Sequence, residues 1–135
     1  MADAGRPPLV VGGFLVRPGH VLLGLRAPHR RVWPDVWDCI GGHLDAGETA
    51  EAALEREFVE EIGVRPTRYA AVGDVPVDAT EVCRLYRIDA WLGGEPHLAN
   101  DEHVELRWFT PDEASALPNL ALDTYRTLFQ QLAAT

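Results

Sequence analysis

Between Gly41 and Val64 the chain reads GGHLDAGETAEAALEREFVEEIGV, and its second half is an amphipathic helix with both ends signposted. Thr49 supplies an N-cap, Gly63 supplies the left-handed residue that commonly closes a helix, and Leu54, Phe58 and Ile62 recur between them at helical spacing. A helix over residues 50–62 follows, entered from a glycine-containing loop. Its charge is unusual. Glu55, Glu57, Glu60 and Glu61 gather towards the C-terminal end, where the helix dipole already presents negative charge. At about 100° per residue, Glu57, Glu60 and Glu61 lie immediately beside the apolar stripe, on the side shared with Ala50 and Ala53. Carboxylates three and four apart repel by about 0.2–0.5 kcal/mol per pair. A solvated acidic patch is one reading of the cluster. The other is a set of hard oxygen ligands for Mg²⁺ or Mn²⁺, with no Cys/His cluster to favour a softer metal.

The rest of the chain limits what such a cluster serves. With 135 residues, 47% of them hydrophobic, the expectation is one domain over residues 1–135 with a core of its own. A formal charge of -9 argues against a general grip on a nucleic acid polymer or an anionic membrane, while leaving a free nucleotide as an allowed partner. All 12 basic residues are arginines, which excludes a P-loop lysine and any lysine Schiff base. The first residues lack the pattern of a signal peptide, and no stretch is long enough to cross a bilayer. Cys39 and Cys83 stand in strand-like apolar surroundings and are expected as reduced, buried thiols, consistent with a cytoplasmic protein.

Along the chain, PPLVVGGFLVR and HVLLGLRA read as strands joined by Pro18 and Gly19 in an opening hairpin, and PHRRVWPDVW as a loop. DCI, YAAVGDVPVD, CRLYRIDAWL and VELRWFT read as further strands. PDEASAL opens a helix at Pro111, and ALDTYRTLFQQLA carries apolar residues at helical spacing. Irregular alternation of strands and helices favours an α/β sandwich on a mixed sheet over a doubly wound parallel one.

From Gly42 through Glu48 to Arg56-Glu57-Phe58-Val59-Glu60-Glu61-Ile62-Gly63-Val64, the chain resembles the Nudix box, G-x5-E-x7-R-E-U-x-E-E-x-G-U with U apolar, at every specified position of residues 42–64. Phe58 is aromatic where an aliphatic is usual. The resemblance implies a Nudix-type α/β/α sandwich and a metal-dependent hydrolase that cleaves the diphosphate linkage of a nucleoside diphosphate bearing another group X. It also implies roles. Glu57, Glu60 and Glu61 correspond to direct metal ligands, the carbonyl of Gly41 to a further one, and Glu48 with Arg56 to a supporting pair.

Many members of the family take another carboxylate from a later loop as metal ligand or base. Asp101, Glu102 and Glu105 are the candidates, and Glu102 is favoured because it stands six residues before Trp108, similar to the separation in MutT-type members. His103 reads as a solvated neighbour without a catalytic role. Arg26 resembles an arginine that faces substrate, and Asn119 stands where such enzymes place a base-reading asparagine; a surface charge and a turn residue are the ordinary alternatives. Trp33 and Trp37 are candidates for stacking on a base or for core packing. The leading expectation is a Mg²⁺-dependent hydrolase of nucleoside triphosphates, including oxidised ones, of MutT type. The alternatives are a nucleotide-sensing module without turnover and a hydrolase of a nucleotide sugar or ADP-ribose. An isopentenyl-diphosphate isomerase relative would require a cysteine or acid aimed at an alkene, and Cys39 reads as a core thiol. Whether the chain forms a homodimer stays open.

Overall fold

The computed structural model describes residues 10–30 and 33–132. The expected first strand begins at residue 7, and residues 7–9 lie outside the described residues, as do residues 31 and 32 of the loop that follows the hairpin. Among the described residues seven strands and three helices follow in the order β1 (Val10–Arg17), β2 (His20–Arg26), β3 (Trp37–Asp38), β4 (Ile40–His43), α1 (Ala50–Ile62), β5 (Arg65–Pro76), β6 (Val82–Leu92), β7 (His103–Phe109), α2 (Pro111–Ser115) and α3 (Tyr125–Leu132).

β1 is the hub. It pairs parallel with β6 from Val10 to Leu15, antiparallel with β4 from Val10 to Gly13, and antiparallel with β2 only at its last two residues. β5 extends the β6 side, and β2 carries β3 and β7 on its two edges. The sheet is mixed, as the irregular alternation of elements predicts. Because side chains alternate across a strand, Val11 and Leu15 face α1 with Leu54, Phe58 and Ile62, while Phe14 and Val16 face α2 and α3 with Ala114, Tyr125, Phe129 and Leu132. The result is two apolar layers on opposite faces of one sheet, with Phe14 meeting Tyr125 and Phe129 edge to face at 5.3 and 5.6 Å. Gly13 sits in this ladder on the α1 side, and a Cβ there would stand 2.7 Å from Ile88 Cδ1 and 3.2 Å from Leu54 Cδ1, so its bare backbone is what lets α1 lie so close.

The helix begins and ends where its sequence says. Thr49 Oγ1 accepts from Ala52 N at 3.1 Å, and Gly63 adopts φ 73° with its N–H on the Val59 carbonyl. Three other expectations need adjustment. The DCI strand is two short strands interrupted at Cys39, because β3 follows β2 while β4 turns to pair with β1. β5 starts at Arg65, directly after the helix cap, since pairing with Trp91 and Leu92 overrides its polar opening. The last helix starts at Tyr125 rather than Ala121, because Leu120 bridges Trp37 and Ala121 N donates to the Trp37 carbonyl, holding this stretch extended. Among the described residues no helix is long and apolar enough to cross a membrane.

Candidate active site

The four glutamates gathered towards the end of α1 stand in different environments. Glu55 is not part of the cluster at all: it accepts from the Tyr69 hydroxyl at 2.6 Å and from Arg65 Nε at 3.1 Å, tying the helix to β5. Glu60 is exposed and takes Arg56 Nη1 at 3.2 Å. Glu61 is only 3% exposed, on the buried side of the helix with Ile62 and Phe58. Glu57 lies between them over the bare Cα of Gly42, where a Cβ would stand 2.6 Å from its Oε2. The first glycine of the pair is equally constrained, since a Cβ on Gly41 would come within 2.0 Å of the Val11 carbonyl oxygen. β4 therefore delivers backbone, without side chains, to the foot of the acidic helix.

Arg56 organises this end of the site. Its Nε and Nη2 form a fork on Glu48 at 2.7 and 2.9 Å, Nη2 also reaches the His43 carbonyl at 3.1 Å, and Nη1 reaches Glu57 Oε2 at 3.0 Å. That hydrogen bonding, first of all from Arg56, holds the Glu48 carboxyl down at about 2, and the same pair raises Arg56 further above its already high value. Glu61 is the opposite case. Burial, with the Glu57 carboxyl at hydrogen-bonding range and Glu102 nearby, pushes it up to about 11. Its Oε1 is shut away from solvent with no hydrogen-bond partner.

Glu102 reaches this place through the backbone. The residues after β6 cap the C-terminal end of α1: His97 N donates to the Ile62 carbonyl at 3.0 Å and Ala99 N to the Glu61 carbonyl at 2.9 Å. Asn100 Oδ1 then accepts from Glu102 N at 3.0 Å. The Glu102 carboxylate is gripped by two arginines, Arg26 Nη1 on Oε2 and Arg30 Nη1 on Oε1, each at 3.1 Å. Asp101 points to an exposed pairing with His29 at 3.7 Å, and Glu105 pairs with Arg107 on the surface. Of the three acidic candidates, Glu102 alone lines the cavity beside Gly41 and Gly42.

That cavity has a volume of about 440 Å³. Its wall includes Arg26, Arg30, Trp33 and Glu102, the contacting Asp38, Cys39 and Tyr125, and His43 and Glu81. Arg26 additionally donates from Nε to the Trp33 carbonyl at 2.9 Å. Trp33 is 38% exposed, whereas Trp37 is buried edge to face on Phe109 and belongs to the core. Asn119 is absent from the cavity wall. Its Nδ2 donates to the Asp35 carbonyl at 3.0 Å and its own carbonyl accepts from Trp37 N, so it fastens the loop before β3.

Two expectations change here. His103 is no solvated neighbour: it is the first residue of β7, 3% exposed, with Nδ1 3.5 Å from Glu61 Oε1. Burial, aided by the charges of Arg26 and Arg30, lowers its pKa to about 4 and leaves the ring neutral. Cys39 is a half-buried thiol in the cavity wall rather than a core thiol, raised well above its ordinary pKa by the Cys83 thiol beside it and by burial. Arg30, Asp38 and Tyr125 are cavity residues with no motif to mark them. The Tyr125 hydroxyl donates to Asp38 Oδ1 at 2.7 Å, and burial nonetheless raises the Asp38 carboxyl.

The donor set suits a hard divalent cation. Two carboxylates brought together with one of them buried, beside a glycine backbone that no side chain crowds, are what such an ion recruits. Among the described residues no three such side chains already surround one point.

A family model described as the NUDIX domain matches residues 6–132. A Mycobacterium tuberculosis (strain H37Rv) protein named "Putative 8-oxo-dGTP diphosphatase 2" is 38% identical over 109 residues, covering 78% of this chain and 74% of that protein. The CTP pyrophosphohydrolase of Escherichia coli K12 is 32% identical over 113 residues, covering 81% of this chain and 80% of its own. In three dimensions, the crystal structure of a MutT NUDIX hydrolase from Burkholderia pseudomallei superposes with a TM-score of 0.77 at 32% identity, over 93% of this chain and 98% of that one. The acidic helix on its glycine strand thus lies within the matched residues 6–132, and the chain belongs to the Nudix family of hydrolases.

Proposed function

We propose that the chain is a Mg²⁺-dependent pyrophosphohydrolase of nucleoside triphosphates, ordinary or oxidised, with Mn²⁺ as an acceptable substitute. The observation that carries this reading is the Glu57–Glu61 pair, with Glu61 buried and the Glu57 carboxyl at hydrogen-bonding range of it, over the glycine strand of a cavity also lined by Arg26 and Arg30. Glu57, Glu60, Glu61, Glu102 and the Gly41 carbonyl are the groups that would hold the metal. A bound divalent ion would supply charge neutralisation to the phosphates and to the leaving oxygen.

The protein's own groups divide the remaining work. Arg56 braces Glu57 and Glu60 from behind and is itself locked on Glu48, so the acidic edge keeps its shape. Arg26 and Arg30 meet incoming phosphates as paired guanidiniums. In the free protein both are occupied by Glu102, and phosphate competes for them. Their transfer to substrate frees Glu102 to accept a proton from the attacking water. Trp33, half-exposed at the rim, offers a face for a base to stack on. The free thiols Cys39 and Cys83 support a reducing, cytoplasmic setting.

A panel of nucleoside triphosphates, their oxidised forms, nucleotide sugars, ADP-ribose and isopentenyl diphosphate, assayed with Mg²⁺ and with Mn²⁺ for released phosphate and diphosphate, tests the proposal. Conversion of a triphosphate to monophosphate and diphosphate is the expected result. Preference for a nucleotide sugar or ADP-ribose would overturn the substrate class. Turnover of isopentenyl diphosphate without phosphate release would overturn hydrolysis itself and turn attention to Cys39.

A further inference from the structure

Among the described residues only four buried side-chain nitrogen or oxygen atoms lack a hydrogen-bond partner, and three of them belong to two neighbouring side chains: Glu61 Oε1 and the Nδ1 and Nε2 of His103. Folded proteins rarely leave such atoms unpaired, because each forfeits its solvation with no partner in return. Nothing about packing requires a histidine here, since an apolar side chain of similar size would fill the same space at no such cost. The space is also made on purpose: it is opened by Gly24 on β2, where a Cβ would stand 2.6 Å from the His103 Cδ2 and 3.0 Å from its Cγ and Nε2. β2 omits a side chain, β7 inserts an imidazole into the gap, and Nδ1 stops 3.5 Å from Glu61 Oε1.

We infer that His103 is a positioning residue that reaches Glu61 through Nδ1 and presents the carboxylate to a divalent cation. The inference rests on the proposed role of Glu61 as a ligand. A carboxylate that gives one oxygen to a cation keeps its negative charge in place, and an N–H aimed at the other oxygen becomes a charge-assisted donor that closes the 3.5 Å separation. The donor fixes the rotation of a side chain that its helix fixes only at the backbone. Ligand orientation by a hydrogen-bonded neighbour commonly contributes 10-fold to roughly 100-fold in metal affinity. His103 touches no substrate in this scheme and transfers no proton.

Three substitutions separate positioning from packing. The amide of Asn lies near the place of Nδ1, that of Gln near Nε2, and Leu fills the volume without a donor. Mn²⁺ binding is measured by electron paramagnetic resonance titration in the absence of nucleotide, alongside kcat and KM at saturating Mg²⁺. His103→Leu and His103→Gln should weaken Mn²⁺ binding by about 10-fold to 100-fold, lowering kcat with little change in nucleotide KM, and His103→Asn should return binding to within about threefold of the parent. Gly24→Ala, which crowds the ring without altering it, should weaken Mn²⁺ binding in the same way and keeps the test open if the His103 variants fail to fold. Leu as good as His, with Asn the worst of the three, would reduce the residue to a space filler and overturn the inference. Parent-like Mn²⁺ affinity in Gly24→Ala would do the same. A parent that binds no Mn²⁺ would overturn the metal reading of Glu61 as well, so the two failures are told apart.

Discussion

Glu102 and Glu105 are the same residue type on either side of a turn into a strand, and only their neighbours distinguish them. Glu102 stands in the cavity under two arginines, while Glu105 is paired with Arg107 on the outer surface. Glu102→Gln keeps the size and removes the base, so its kcat should fall about 10²-fold or more, whereas Glu105→Gln should stay within about threefold of the parent. Steady-state kinetics at saturating substrate decide, and a reversed order would move the base to Glu105. Glu48 makes a prediction of a different kind. Its fork with Arg56 holds its pKa at about 2, below the ordinary 4.5, so the folded chain resists protonation there more than the unfolded chain does. The stabilisation from that pair is complete above pH 4.5 and is lost as the pH falls towards 2. In chelator, the melting temperature of Glu48→Gln should therefore lie below the parent's at neutral pH and converge on it across that acid range. A constant gap at every pH would detach the carboxylate from the effect.

At the scale of the element, α1 was almost wholly legible in the sequence. Thr49, Gly63 and the Leu54-Phe58-Ile62 stripe are local signals, and local signals fix a helix. What the cluster costs was not legible, because spacing alone treats its glutamates alike. Arg56 already relieves Glu60, an exposed pair of the kind that contributes less than about 1 kcal/mol. Glu61 has burial and a close carboxyl neighbour instead. In chelator, then, Glu60→Gln should change the melting temperature little, while Glu61→Gln, which replaces a buried acid by a neutral amide of similar shape, should raise it by a few degrees. Millimolar Mg²⁺ should reverse the order by stabilising the parent and leaving Glu61→Gln nearly unmoved. A Glu61→Gln protein that melts below the parent in chelator would remove Glu61 from the account. The loop that carries Glu102 was foreseeable only as a loop, because its place depends on backbone bonds to the Glu61 and Ile62 carbonyls across some forty residues of chain. His103 was misread for the same reason. Its acidic sequence neighbours suggest solvent, and the gap that buries it belongs to Gly24 on another strand.

For the molecule as a whole, the site is a junction between a helix that carries acids and a sheet that carries backbone, and the distance between them is set at Gly13. Gly13→Ala would place a methyl 2.7 Å from Ile88 and 3.2 Å from Leu54 and Phe58, in the apolar layer beneath α1 and against none of the proposed ligands. It should cost about 1–3 kcal/mol of stability in a urea titration. It should also weaken Mn²⁺ binding, although no ligand is touched, because α1 has to lift from β4. Loss of stability with unchanged Mn²⁺ affinity would show that helix and glycine strand move together. The central position of β1 also sets an order of events. Val10 meets Cys83 and Leu15 meets Ile88, whereas α1 and the β5–β6 hairpin are closed by near neighbours in the chain. A growing or refolding chain can therefore display the acidic helix well before β1 and β6 lock and before residues 97–102 bring Glu102 to it. Such an intermediate has the carboxylates without the site. A cation then arrives too late to hasten folding and acts on the finished structure, so Mg²⁺ should slow unfolding while leaving the refolding rate nearly as it is in chelator.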